Sequence, residues 1–279
     1  MPSLPSRLLL TAISLLAIQT LVFAGPQEEI PRSIVSDDFV KNRPRAKGRR
    51  PKPKARVYRL TSSARTKQAE ESDADVWQIG VTIWRLTPER NRQLERTARR
   101  VEVGTKARDG DLLRISIESP RAGYLYVVDR DWFIDGAAGE TNLIFPVRGE
   151  DNRLKPGKLI DIPPQHEPPL KASPKPNQTG ELLTIIVTLV PLQLPLSSDP
   201  LPITAKQLSD WEKRWRSVTD RYELNEGAGQ TRTIQEYQAA LLSGTRQLSR
   251  NDPGPQAIYR LVPQSRDGVL FNLMLSYVP

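Results

Sequence analysis

Apolar and polar residues alternate along much of the chain after residue 76. In the stretch 77–86, one face carries Trp77, Ile79, Val81 and Ile83, and the other carries Thr82, Trp84 and Leu86. A period of two residues is typical of a β-strand, because successive side chains point to opposite faces. The same kind of pattern predicts further strands at 101–103, 112–119, 123–129, 142–147, 158–163, 182–190, 257–262 and 269–277.

These short strands are separated by turns rich in Gly, Pro and Asp, without helices between them. This arrangement favours a mainly β fold, an antiparallel β-sandwich-like domain over residues 77–279. The residues Ser119 to Gly123 read as a turn, so the stretch 112–129 is predicted to form a β-hairpin.

One segment before the last two strands has the period of a helix instead. Thr204 begins the sequence TAKQ, a capping box, and a stripe of apolar residues follows at helical spacing: Leu208, Trp211, Trp215, Val218 and Tyr222. Thr233 begins a second box, TIQE, and Gly244 follows as a stop signal. Residues 204–243 are therefore predicted to be a two-helix insertion, and the tryptophan stripe is expected to dock on the sheet or the partner helix.

The first 24 residues have the layout of a signal peptide. Arg7 provides the positive charge, an apolar run extends from Leu8 to Ile18, and Val22-Phe23-Ala24 suits cleavage after Ala24. The alternative is an uncleaved membrane anchor, but the apolar run is shorter than the roughly 20 residues of a spanning helix. We expect an exported protein, periplasmic or secreted.

Residues 25–76 are predicted to be a disordered linker rich in Pro, Lys and Arg, because like charges repel and prolines prevent a helix. Within it, the apolar positions suit a short docking helix (Ile30, Ile34, Val35, Phe39 and Val40) and a short strand (Val57, Tyr58 and Leu60).

The net charge of +9 comes from one part of this linker. Residues 41–59 contain ten basic residues and no acid: Lys41, Arg43, Arg45, Lys47, Arg49, Arg50, Lys52, Lys54, Arg56 and Arg59. Subtracting these ten charges leaves a net charge of −1 elsewhere, whereas a nucleic-acid-binding domain normally carries its charge on a folded face. We therefore interpret the basic segment as an arm attracted to an anionic envelope polymer or lipid surface, and extracellular nucleic-acid binding is the weaker alternative.

Few residues are suited to nucleophilic or metal chemistry. The chain has no cysteine, and its single histidine, His166, lies in a Pro-rich stretch where we expect a solvated loop. We expect no cofactor and no metal.

The acidic group Asp129, Asp131, Asp135 and Glu140 is the best candidate for a catalytic or ion-binding site. Two of these carboxylates can act as an acid/base pair on a polysaccharide, or several can offer oxygens to Ca²⁺. The spacing does not match an EF-hand loop, because Ile134 stands where that loop needs a glycine. The favoured interpretation is an ordinary turn at Asp135-Gly136.

Several segments together resemble a bacterial family, domain of unknown function 4384: IGVTIWRL (79–86), GDLLRISIESPRAGYLYVVDRD (110–131), LIFP (143–146), NRLKPGKLIDIP (152–163) and ELLTIIVT (181–188). The resemblance covers 77–190 and extends to the strand at 269–277. In that family the domain often accompanies a caspase-like peptidase or a protein kinase, so the resemblance implies an accessory, sensory or binding module. It implies no catalytic residues. This chain departs from the family in its insertion at 204–243, and residues 25–75 have no room for either enzyme.

The sequence thus predicts an exported, non-enzymatic interaction module of the bacterial cell envelope that binds a protein or an anionic polymer. The alternative is a carboxylate-dependent hydrolase of envelope polysaccharide.

Overall fold

The computed structural model describes residues 32–45, 76–89, 92–224, 231–232 and 245–278, which contain two helices and fourteen strands. The helices are α1 (Arg32–Lys41) and α2 (Ala205–Trp215). The strands are β1 (Trp77–Glu89), β2 (Arg92–Val101), β3 (Leu112–Glu118), β4 (Gly123–Phe133), β5 (Ala138–Phe145), β6 (Arg153–Leu154), β7 (Lys158–Ile162), β8 (Leu170–Lys171), β9 (Gln178–Thr188), β10 (Leu201–Pro202), β11 (Ser217–Glu223), β12 (Thr245–Gln247), β13 (Ala257–Pro263) and β14 (Gly268–Ser276).

Two antiparallel sheets form a β-sandwich, as the alternating pattern predicts. In the described residues the larger sheet has the order β11-β13-β1-β3-β7-β12, with β2 on β1 and β8 on β3. The smaller sheet has the order β10-β5-β4-β9-β14, with β6 on β4. The apolar core lies between them and takes side chains from both inner faces, because alternate residues of each strand point inward.

Strand β1 shows how well the alternation predicts the faces of a strand. The side chains of Ile79, Val81 and Ile83 are buried in the core between the sheets. Trp84 and Leu86 lie in a separate cluster on the outer face of the same strand. Its neighbour β2 covers residues 92–101, whereas the pattern predicts only a short strand at 101–103.

The predicted β-hairpin over 112–129 is wrong. Strand β3 pairs with β1 and β7 in the larger sheet, whereas β4 pairs with β5 and β9 in the smaller one. The four residues between β3 and β4 therefore form a corner that joins the two sheets. Both strands carry the predicted alternation, but alternation specifies the face of a residue and not the partner of a strand.

The helical insertion is confirmed only in its first part. Thr204 caps α2, and its hydroxyl accepts a hydrogen bond from the Gln207 backbone N–H at 3.2 Å. Leu208 and Trp215 are buried against the outer face of the smaller sheet, so this part of the tryptophan stripe does dock on a sheet. The helix ends at Trp215. Val218 and Tyr222 belong to β11, an edge strand, and the predicted second helix at 233–243 lies outside the described residues.

The structure differs from the predicted disordered linker at residues 32–45, where it has α1 and a bend. The docking helix is confirmed here, because Phe39 is buried against Ile258 on the outer face of the larger sheet. Gly80 makes room for it. A Cβ at residue 80 would lie 2.7 Å from the Phe39 ring and 2.8 Å from Pro255, closer than side-chain packing allows.

The signal peptide, the rest of the linker and the basic residues after Arg45 lie outside the described residues. Within the described part of the chain, neither helix has the length and apolar character needed to cross a membrane.

Candidate functional site

Strand β4 carries two carboxylates onto the inner face of the smaller sheet. Leu125 and Val127 are in the core between the sheets, and Asp129 and Asp131 continue the same face by the period of two. On this face of β4, apolar side chains are followed by the two carboxylates. The candidate site therefore lies at one end of the sandwich, which we call the acidic end.

A third carboxylate joins from the neighbouring strand. Glu181 of β9 stands directly opposite Asp131 in the register of the sheet, and the Tyr277 hydroxyl donates a hydrogen bond to its Oε1. Neither Glu181 nor Tyr277 stands out as a site residue in the sequence alone. The period of two on β9 was the available signal, because Glu181, Leu183 and Ile185 share one face.

Asp131 is held in place by two donors. The Lys175 Nζ lies 2.6 Å from its Oδ2, and the Gln178 Nε2 donates to its Oδ1 at 2.8 Å. Asp129 is in a different situation. Among the described residues, no donor reaches its buried Oδ1.

These environments set the ionisation of the acidic end. Burial raises the pKa of Asp129 to about 7, and the neighbouring carboxylates of Glu181 and Asp131 contribute in the same direction. Burial also raises the pKa of Glu181, although the hydrogen bond from Tyr277 opposes this rise. A buried carboxyl that is half protonated near neutral pH can donate or accept a proton, or accept a cationic group of a ligand.

Of the other two predicted acids, Asp135 forms a turn, and Glu140 lies within electrostatic reach of Lys175 beside the cluster. The Asp135 Oδ1 accepts a hydrogen bond from the Ala137 N–H at 2.9 Å, and Gly136 has a φ of 79°. The interpretation of Asp135-Gly136 as a turn is therefore confirmed. Glu140 is exposed on β5. In the described ranges, no group of three or more His, Asp or Glu residues has an arrangement that could hold a metal ion.

The basic segment begins on the folded domain rather than away from it. Arg43 is 2% exposed, and its guanidinium forms a two-point contact with Glu118 of β3, with Nε and Nη2 distances of 3.0 and 2.6 Å. Its Nη1 donates to the backbone carbonyls of Asp252 and Pro253 at 2.8 and 3.1 Å. Arg43 is therefore a buried structural residue, which corrects its assignment to the envelope-binding arm.

The other described residues of the predicted arm, Lys41 and Arg45, are exposed, and Lys41 pairs with Asp38 of α1. A cavity of about 290 Å³ is lined by Lys41 and Asn42 on one side and by Val76 and Gln78 on the other. The described stretches 32–45 and 76–89 therefore meet beside one cavity. We call this region the basic end.

The single histidine is where the sequence analysis predicts it. His166 is exposed in the loop after β7, at the rim of a cavity of about 320 Å³ that also contains Glu150. Burial raises the pKa of Glu150.

A second buried ion pair lies on the outer face of the larger sheet. Arg232 donates to both carboxylate oxygens of Asp161 at 3.0 and 3.1 Å, and Ser116 and Gln165 also donate to this carboxylate. Burial alone would raise the pKa of Asp161, but Arg232 and these hydrogen bonds hold it below its usual value. Both carboxylate oxygens of Asp161 already accept hydrogen bonds, so we interpret this ion pair as structural rather than as a binding or catalytic site.

No family model, curated protein or solved structure matches the chain. The resemblance to domain of unknown function 4384 therefore stays a prediction.

Proposed function

We propose that this protein is an exported, non-enzymatic interaction module that binds an anionic surface of the bacterial cell envelope through its basic segment. The observation that supports this proposal is the buried contact between Arg43 and Glu118. It fixes the start of the segment on the domain, and the described chain resumes at Val76 beside the cavity that Lys41 also lines. The two described ends of the segment therefore lie in one region.

Two of the ten basic residues of the segment are paired within the described domain. Arg43 is neutralised by Glu118, and Lys41 pairs with Asp38. The eight that follow are Arg45, Lys47, Arg49, Arg50, Lys52, Lys54, Arg56 and Arg59. Each basic residue near an anionic surface contributes about 1 kcal/mol, and salt screens this attraction, so binding should be strong at low salt and weak at high salt.

Replacement of these eight residues by Gln and Ser tests the proposal. The variant should leave the envelope fraction at low salt, while the wild type stays bound until salt is raised. Retention is measured by fractionation of cells and by immunoblotting at increasing salt.

A matched control removes the same charge elsewhere. Its eight exposed residues, replaced in the same way, are Lys106, Arg108, Arg148, Lys155, Lys171, Lys206, Lys213 and Arg216. This control should stay in the envelope fraction. Equal retention of the arm variant and the wild type would contradict the proposal, and equal release of both variants would show that only total charge matters.

A second candidate function is a carboxylate-dependent hydrolase of envelope polysaccharide, and the environment of Asp129 favours it. Glycosidases pair one protonated carboxyl with one ionised carboxylate, and the raised pKa of Asp129 suits the acid. Asp131, whose carboxylate accepts hydrogen bonds from Lys175 and Gln178, is the second carboxyl of the pair.

Purified protein incubated with peptidoglycan tests this second function by the release of reducing ends. Asp129→Asn should abolish release while the circular dichroism spectrum is unchanged. Asp135→Asn, in the nearby turn, should release as much as the wild type. If the wild type releases no reducing ends, the hydrolase is ruled out for this substrate.

A further inference from the structure

Two adjacent apolar side chains, Leu189 and Val190, are exposed at the basic end of the sandwich. The large apolar residues that are exposed in the described ranges are Ile134, Leu189, Val190, Val218, Val262 and Val278. Ile134 belongs to the turn after β4. Val278 follows Tyr277 of the acidic end, and its N–H donates a hydrogen bond to the Ala107 carbonyl. Val218 and Val262 are paired on the larger sheet, and Leu189, with Val190 next in sequence, lies at one cavity.

That cavity has a volume of about 430 Å³ and is lined by Trp77, Arg121, Ala122, Leu189, Pro263 and Arg266. Leu189 and Val190 follow the end of β9 and are 50% and 67% exposed. Val190 follows Leu189 directly, and Pro263 of β13 closes the cavity from the larger sheet. We call the exposed pair Leu189 and Val190 the apolar rim.

Two arginines border this rim. The Arg121 guanidinium lies over the Trp77 ring, 5.7 Å from its centroid, and Arg266 is exposed. Asp267, the residue after Arg266, is paired with Arg214, whose Nε donates to it at 3.0 Å. Two cationic side chains, Arg121 and Arg266, therefore line the cavity beside the rim.

The rim also adjoins the start of the basic segment. Arg121 lines the cavity of the rim and the cavity between Lys41 and Val76. Basic residues beside exposed leucine and valine are the combination that binds an anionic lipid surface, where headgroups meet the charges and the acyl boundary accepts the apolar side chains. A water-soluble polymer would meet the charges alone and leave the apolar rim exposed.

We propose that the apolar rim docks on the surface of an anionic lipid bilayer, with Leu189 and Val190 in the acyl boundary and Arg121 and Arg266 at the lipid phosphates. This proposal rests on the proposed function and specifies the surface that it binds. The apolar contacts add to the attraction of the basic segment, and salt does not screen them.

The test measures co-sedimentation of the full chain with vesicles of phosphatidylcholine alone and with vesicles that contain phosphatidylglycerol in equal part. The Leu189→Ser/Val190→Ser variant should bind the anionic vesicles on the order of tenfold more weakly, because two apolar side chains no longer leave water. The loss should persist at high salt. Both residues are exposed, so the melting temperature should stay that of the wild type.

Ile134→Ser is the matched control, since Ile134 is 76% exposed at the other end of the sandwich. It should bind as the wild type does. If the double Ser variant binds as tightly as the wild type and the arm variant does not bind, the apolar rim is not a lipid contact and the proposed function stands.

The polymer alternative has its own outcome in the same assay. In this outcome the wild type fails to co-sediment with either kind of vesicle but pellets with peptidoglycan, less so as salt is raised. That result overturns the lipid proposal and leaves the proposal of envelope binding in place. If it binds neither, both proposals fail.

Discussion

The two ends of this sandwich each carry a buried acid, and the partner of that acid makes them different. At the basic end, Glu118 meets the two-point guanidinium of Arg43. At the acidic end, burial raises the pKa of Asp129 to about 7, and the nearby carboxylates of Glu181 and Asp131 contribute in the same direction. Burial is common to both, so burial alone does not decide whether an acid stabilises the fold or stores a proton. The nearest charge decides it.

The largest effect should come from breaking the pair at the basic end. Arg43→Ala leaves Glu118 buried without its guanidinium, and the free energy of unfolding should fall by about 3–5 kcal/mol. Urea denaturation followed by circular dichroism measures this change. Arg45→Ala, two residues away and exposed, is the control and should change stability by less than about 0.5 kcal/mol. If the two variants are equally stable, the contact between Arg43 and Glu118 does not contribute to stability.

A smaller effect should come from neutralising the acidic end. Folding raises the pKa of Asp129 from 3.8 to about 7, so the folded protein keeps a proton that the unfolded chain has released between these values. The free energy of unfolding should therefore fall as pH rises from about 4 to 7 and level off above. This is the opposite of the usual carboxylate that is stabilised by a cation.

Asp129→Asn removes this dependence. Near pH 8 the variant should be more stable than the wild type by on the order of 2 kcal/mol, and the difference should shrink toward pH 4. Denaturation at a series of pH values measures both curves. Asp135→Asn changes an exposed turn carboxylate and should follow the wild type. If the stability of Asp129→Asn depends on pH as that of the wild type does, Asp129 does not hold a proton in the folded protein.

The smallest effect should come from Lys175, which is exposed and lies beside Asp131. Its charge lowers the pKa of Asp129, so Lys175→Gln should raise that pKa further. Stability should change little, because exposed ion pairs contribute little. Carboxyl titration by NMR measures the shift. Lys171→Gln, an exposed lysine on β8, is the control, and an equal shift in both variants would show that Lys175 acts only through net charge.

The candidate site was only partly predictable from sequence. Asp129 and Asp131 are two residues apart on a predicted strand, so their common face follows from the period of two. Glu181 lies 50 residues further along the chain, and its place beside Asp131 depends on the pairing of β4 with β9. No local pattern carries that information.

The basic segment shows the same limit. Arg43 stands in a run of like charges, and nothing near it in sequence separates it from Arg45. Its partner Glu118 is 75 residues away on the outer face of β3. That contact forms because α1 buries Phe39 over Gly80, which brings the following residues to the sheet.

The sequence by itself determined the mainly β class, the faces of strands such as β1, the turn at Asp135-Gly136 and the cap of α2. Each of these depends on residues within a few positions, because side-chain period, turn conformation and capping are local. Only the tertiary structure decided that β3 and β4 lie in different sheets, that Val218 and Tyr222 leave the helix for an edge strand, and that Arg43 is buried. These outcomes depend on which distant segments come together, and the free energy of that packing is not a property of any short stretch.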